Sequence, residues 1–97
     1  MRLILDYDVR MITKDGLTVR HSIELVQALN KIGGEFTITK SSSTVDAKSI
    51  LGLISLVVKE NEQLRFMAII EKRKKDELNE ILPQFFDVIR VESHARD

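Results

Sequence analysis

Glu35-Phe36-Thr37-Ile38-Thr39-Lys40-Ser41-Ser42-Ser43-Thr44-Val45-Asp46 is the stretch from which the architecture can be read. Phe36 and Ile38 alternate with Thr37, Thr39 and Lys40, a period of two that predicts a half-buried strand. Three consecutive serines make a turn, and Thr44-Val45-Asp46 follows as a short third strand. Upstream, Ile23, Leu25, Val26, Leu29 and Ile32 recur at helical spacing from Val19 to Lys31, and Gly33-Gly34 ends that helix as a C-terminal cap. Downstream, Ala47 to Val58 predicts a short helix whose N-terminus lies near Lys48 and Ser49.

The flanks complete the order. Leu3, Leu5, Tyr7, Val9 and Met11 alternate with Asp6, Asp8 and Arg10, which predicts a first strand ahead of the turn Lys14-Asp15-Gly16. Leu64, Phe66, Ala68 and Ile70 alternate with Arg65 and Glu71 in a fourth strand. Past the charged loop from Glu71 to Lys75, Leu78, Ile81, Leu82, Phe85, Phe86 and Ile89 form an apolar helical face. Pro83 lies inside it and should kink or split it, because proline removes a backbone donor. The order βαββαβα predicts an α+β fold, an open-faced two-layer sandwich of a four-stranded antiparallel sheet covered by three helices. No repeat, linker or low-complexity tract divides the chain, so residues 1–91 are expected as one domain and 92–97 as a frayed tail.

Composition narrows the function classes. With 97 residues, 43% hydrophobic and 31% charged, the chain can bury about two-thirds of its unfolded surface as a globular domain. Fifteen basic residues balance fifteen acidic ones, so no field of one sign draws nucleic acid or a membrane surface. The chain has no cysteine, which removes disulfides, thiolate ligands and a cysteine nucleophile. The N-terminus meets Asp6 and Asp8 before a signal-peptide core could form, and no apolar run approaches the roughly 20 residues of a membrane span. A cytoplasmic protein is the expectation. No metal-ligand spacing, glycine-rich phosphate loop or catalytic triad is present, and no cofactor is expected. Asp6 and Asp8 share a strand face and read as its wet side. Lys72-Arg73-Lys74-Lys75 reads as a solvated turn, since no aromatic residue interleaves with the basic ones.

Two segments carry a family resemblance. Gly16-Leu17-Thr18-Val19-Arg20-His21-Ser22, leading into a helix, resembles the signature Gly-[Leu/Ile]-His-[Ala/Thr]-Arg-Pro-Ala of the histidine-containing phosphocarrier (HPr) family of bacterial sugar transport. It matches at Gly16, Leu17 and Arg20. Asp46-Ala47-Lys48-Ser49-Ile50-Leu51-Gly52-Leu53-Ile54-Ser55-Leu56 is similar to that family's regulatory segment, Lys-Ser-Ile-Met-Gly-[Val/Leu]-Met-Ser-Leu, at the interval the family uses. The resemblance implies that Thr18 stands where ordinary members carry the phosphorylated histidine. A threonine hydroxyl is a weak nucleophile without a positioned base. Thr18 is, however, a favoured helix N-cap.

The remaining implications concern binding. Arg20, with His21 and Lys48, is expected to contact an anion or an acidic partner. Ser49 matches the serine that a dedicated ATP-dependent kinase phosphorylates in Gram-positive bacteria, and it would also serve as a cap. Ile50, Leu51 and Ile54 match a partner-docking patch and are expected to point outward, while Leu53, Leu56 and Val57 face the sheet. The resemblance therefore implies a regulatory binding protein of the phosphotransferase and carbon catabolite control system, similar in logic to the catabolite-repression HPr proteins, and not an enzyme. Its implied partners are proteins: HPr kinase/phosphorylase, a LacI-type transcription regulator or a metabolic enzyme. Two alternatives stand beside it, a phosphocarrier that uses His21 as a displaced acceptor and a docking module that carries no phosphate. A monomer or weak dimer is expected, with the first strand able to exchange or pair at a sheet edge.

Overall fold

Alternation in the first strand does what period two requires. In the computed structural model, which describes residues 1–96, β1 (Arg2–Met11) buries Leu3, Leu5, Tyr7, Val9 and Met11 on one side of a sheet. The chain continues through α1 (Val19–Ile32), β2 (Glu35–Lys40), β3 (Ser43–Asp46), α2 (Ile50–Ser55) and β4 (Gln63–Glu71). A 3₁₀ turn (Lys72–Lys74) leads into α3 (Lys75–Ile81), a second 3₁₀ turn (Leu82–Gln84) and β5 (Phe86–Arg96). The strands lie in the order β3-β2-β4-β1-β5, every neighbouring pair antiparallel.

The core lies between this sheet and the helices. Phe36 and Ile38 of β2, Leu64, Phe66, Ala68 and Ile70 of β4 and the inward row of β1 meet Leu25, Val26, Leu29 and Ile32 of α1, Leu53 of α2 and Leu78 of α3. Phe66 is the aromatic centre, with ring centroids of Tyr7 and Phe36 at 6.0 Å and Phe86 at 6.5 Å. Tyr7 is polar yet buried, and its hydroxyl donates to Asn79 Oδ1 at 2.9 Å. Burial pushes its ionisation up to about 12. The opposite sheet face is wet and charged, as the Asp6/Asp8 pattern predicts. Arg65 Nε donates to Asp6 Oδ1 at 2.9 Å, Arg90 lies 3.2 Å from Asp8, and Arg10 lies 2.6 Å from Asp87. The Arg65 guanidinium holds the Asp6 carboxyl below the usual carboxylate range.

The α+β open-faced class and the three helices are as expected, but the sheet has five strands and not four. Leu78, Leu82 and Phe85 are buried as the helical pattern predicts, yet α3 stops at Ile81, and Pro83 sits in the first turn of the following 3₁₀ segment. The chain then reverses and runs beside β1, pairing Phe86 with Met11 and Arg96 with Arg2. Of the tail expected to fray over 92–97, residues 92–96 are part of this strand, and residue 97 lies outside the described residues. With β4 on one side and β5 on the other, β1 is interior, so pairing of the first strand at a sheet edge is excluded in this arrangement. The expected helix from Ala47 to Val58 is also shorter, at Ile50–Ser55. The Asp46 carboxylate accepts from Lys48 N–H at 2.8 Å and turns the chain before the helix. Val57, at φ +51°, ends the segment beyond it and is exposed instead of facing the sheet. Among the described residues no helix is long and apolar enough to cross a membrane.

Candidate functional site

Residues flagged in the first segment gather at the start of α1. Gly16, at φ +74°, brings the backbone so close to the neighbouring loop that a Cβ there would lie 2.0 Å from the carbonyl oxygen of Val58. No side chain fits. Leu17 N–H then donates to that carbonyl at 3.0 Å, which fixes where α1 begins. Thr18 is the N-cap, with an extended backbone (ψ 172°), and its Oγ1 accepts from the His21 N–H at 3.1 Å. The same oxygen lies 3.0 Å from His21 Nδ1, and the imidazole packs edge-on against Phe85 with centroids 6.5 Å apart.

This arrangement has limited chemistry of its own. A hydroxyl and an imidazole in contact resemble a nucleophile and its base, but that logic needs a third group to orient the base. Here the His21 ring packs perpendicular to the apolar Phe85 ring, while Thr18 already satisfies a helix amide. Arg20 projects into solvent, 80% exposed at its side chain, with its Nε 3.6 Å from Glu24 one turn on. It is a free cation in all but this weak surface pair. Among the described residues no cluster of three metal-ligating side chains is present.

The second segment lies on α2, which packs against α1 in the helix layer. Ser49 is the α2 N-cap, its Oγ accepting from Gly52 N–H at 3.0 Å, and its residue is half-buried. Gly52 leaves room for this cap, since a Cβ there would sit 3.2 Å from Ser49 Oγ. Leu51 is 80% exposed, while Ile50 and Ile54 are each 36% exposed, and Leu53 alone of the helix is fully buried. The outward direction of Ile50, Leu51 and Ile54 thus follows from helical spacing. Lys48 is placed differently from an anion contact beside Ser49. Its Nζ donates to the Gly34 carbonyl at 2.7 Å and lies 5.9 Å from the Phe36 ring centroid. Val19 (55%) and Ile23 (37%) of α1 add exposed apolar surface. Ile23, though at helical spacing with Val26, flanks the buried row of Ser22, Leu25, Val26, Leu29 and Ile32 and does not join it.

A family model, that of the phosphotransferase-system HPr component around its phosphorylation site, matches residues 6–86. The chain belongs to the HPr family. Solved structures agree in fold. The phosphocarrier protein HPr of Bacillus anthracis superposes with a TM-score of 0.74 at 24% identity, covering 84% of this chain and 96% of its own. HPr-C-His from Thermoanaerobacter tengcongensis gives 0.70 at 23% identity, covering 81% and 91%. A Mycoplasma histidine-containing phosphocarrier protein gives 0.67 at 18% identity, covering 78% and 85%. No curated protein matches the chain by sequence. The family match ends at Phe86, the first residue of β5, so the added strand lies beyond the HPr region.

Proposed function

We propose that this HPr-family chain is a cytoplasmic regulatory binding protein of the sugar phosphotransferase and carbon catabolite control system, and that it does not carry phosphate on a histidine at position 18. The observation that carries this reading is the engagement of Thr18. Its hydroxyl caps α1 and contacts His21 Nδ1, so the position supports the helix and lacks an imidazole that could hold a high-energy phosphoryl group. Ser49 is the regulatory position. A phosphate there would add about two negative charges beside the first free amides of α2 and next to exposed Ile50, Leu51 and Ile54, changing both charge and shape of one docking surface. The six-residue helix gives only a small dipole, so the effect rests on the amides and on the partner's own cations. Partners of this surface would be HPr kinase/phosphorylase and then a LacI-type regulator or a metabolic enzyme, with Arg20 offering an exposed cation to an acidic patch.

Two incubations test it. With HPr kinase and ATP, the Ser49 peptide should gain one phosphate by mass spectrometry, and Ser49→Ala should not. With phosphoenolpyruvate and the general phosphotransferase enzyme, no acid-labile phosphate should appear. An acid-labile label abolished by His21→Ala would replace this reading with that of a carrier using His21. Silence in both incubations would leave a docking module without phosphate and overturn the Ser49 assignment.

A further inference from the structure

We infer that the outer edge of β5 pairs with β5 of a second copy of this chain, joining two five-stranded sheets into one ten-stranded sheet. The strand invites a partner. It is 11 residues long, contains no proline or lysine, and every residue after Phe86 is exposed. Edge strands of monomeric proteins are ordinarily short or blunted; β3 is short, with four residues, whereas β5 is long and is interrupted only by one bulge and by charges of both signs. Among the described residues nothing pairs with the edge of β5 that faces away from β1.

Side-chain placement identifies the occupant. Opposite the charged row of β1, Arg90 pairs with Asp8, Glu92 with Asp6 and Asp87 with Arg10, so these residues lie on the helix-free face. His94, opposite Ile4, shares that face. Val88, Val91, Ser93 and Ala95, opposite Val9, Tyr7, Leu5 and Leu3, lie on the helix side. Ile89 is the extra residue of the bulge between Asp8 and Val9. A two-fold axis normal to the sheet must place residues of the same face opposite each other. Centred on Val91, it sets Val91 against its own copy and Arg90 against Glu92. Carried past the bulge as β1 carries it, the same register sets Val88 against Ser93 and Asp87 against His94. Each unlike pair occurs twice. Centring on Arg90 or Glu92 puts that charge against itself, and centring on Ser93 sets Arg90 against Arg96. Val91 is thus the one centre, from Arg90 to Ser93, at which Arg90 faces Glu92 and no like charges meet. Cross-strand pairs of this kind stabilise a ladder, and like charges directly opposite destabilise it.

The proposal is independent of Ser49 and Thr18, and the full chain tests it. Sedimentation or light scattering should give twice the 11.1 kDa monomer mass as concentration rises toward about 1 mM. Arg90→Glu and Glu92→Arg should each be monomeric, with circular dichroism confirming their folds. Mixed together they should form a heterodimer, because the first variant then presents two carboxylates, at positions 90 and 92, to two guanidinium groups at the same positions of the second. A covalent readout fixes the register independently of these charge changes. The native chain lacks cysteine, so Val91→Cys should close one intermolecular disulfide on mild oxidation, its Cα atoms being about 5 Å apart in a strand pair. Ser93→Cys, roughly 13 Å from its mate by strand rise, should not. A monomer throughout the concentration range, a dimer untouched by Arg90→Glu, a mixture that stays monomeric, or cross-linking at Ser93 in preference to Val91 would each overturn the inference.

Discussion

Ser22 is fully buried in α1, and its Oγ has no hydrogen-bond partner among the described residues. Its own backbone is well placed, with N–H donating to the Thr18 carbonyl at 2.8 Å, so the fault lies in the hydroxyl alone. Ser22→Ala removes one oxygen and leaves the backbone and Cβ where they are. A buried hydroxyl without a partner costs about 1–3 kcal/mol. Alanine also gains about 0.5 kcal/mol of helix propensity over serine. Against this stand a few tenths of a kcal/mol of lost dispersion, since the oxygen leaves a gap smaller than a water molecule. The net expectation is a stabilisation of about 2 kcal/mol, or a rise in melting temperature of roughly 8–16 °C for a chain of this size. Urea unfolding should show a higher midpoint at unchanged slope, which separates a native-state gain from a change in the denatured chain. A variant equal to or less stable than the parent would refute the reasoning and mean that the hydroxyl is satisfied, by a backbone carbonyl or by internal water.

Three further expectations follow from single positions. Gly16→Ala combines φ +74° with a Cβ placed 2.0 Å from the Val58 carbonyl oxygen. It should cost on the order of 3 kcal/mol, read as a fall in the urea midpoint, and a loss under about 1 kcal/mol would mean that the loop adjusts freely. Thr18→Ala should lose the α1 cap and about 1 kcal/mol, whereas Thr18→Ser should retain most of it, by the same measurement. For Tyr7, ionisation rises to about 12 in the folded chain against about 10 when unfolded, so the stability is whole below about pH 10 and drains as pH climbs toward 12. Alkaline unfolding of the parent should therefore fall more steeply between about pH 10 and 12 than that of Tyr7→Phe, by up to about 2 kcal/mol, and identical slopes would remove Tyr7 as the cause.

Much of the molecule is legible in local pattern because its causes are local. β1 and β4 bury every second residue and β2 buries Phe36 and Ile38, and α1 begins at Thr18 and ends at Gly33 through bonds that span three or four residues. The outward direction of Leu51 likewise follows from the period of the helix. Lys48 was not legible in this way. Its placement depends on the Gly34 carbonyl and the Phe36 ring, which reach it only through the β2–β3 pairing. The exposure of Val57 has a related cause, since it depends on where a left-handed residue ends the helical segment, while Ile23 flanks the buried row of α1 without joining it.

The C-terminal segment separates the two kinds of information most clearly. Leu78, Ile81, Leu82, Phe85, Phe86 and Ile89 fit a helical period, and the bulge sets Val88 and Ile89 side by side, hiding the alternation that marks a strand. Sequence alone establishes that Pro83 interrupts the helix, and it identifies the cap residues Thr18 and Ser49 at the two candidate positions, because backbone donors and covalent geometry act within a turn. The interior position of β1, the fifth strand and its exposed edge were decided by pairing between residues far apart in the chain, such as Met11 with Phe86 and Arg2 with Arg96. Such pairing depends on which edge of the folded sheet is free to receive the chain, and no local window carries that information.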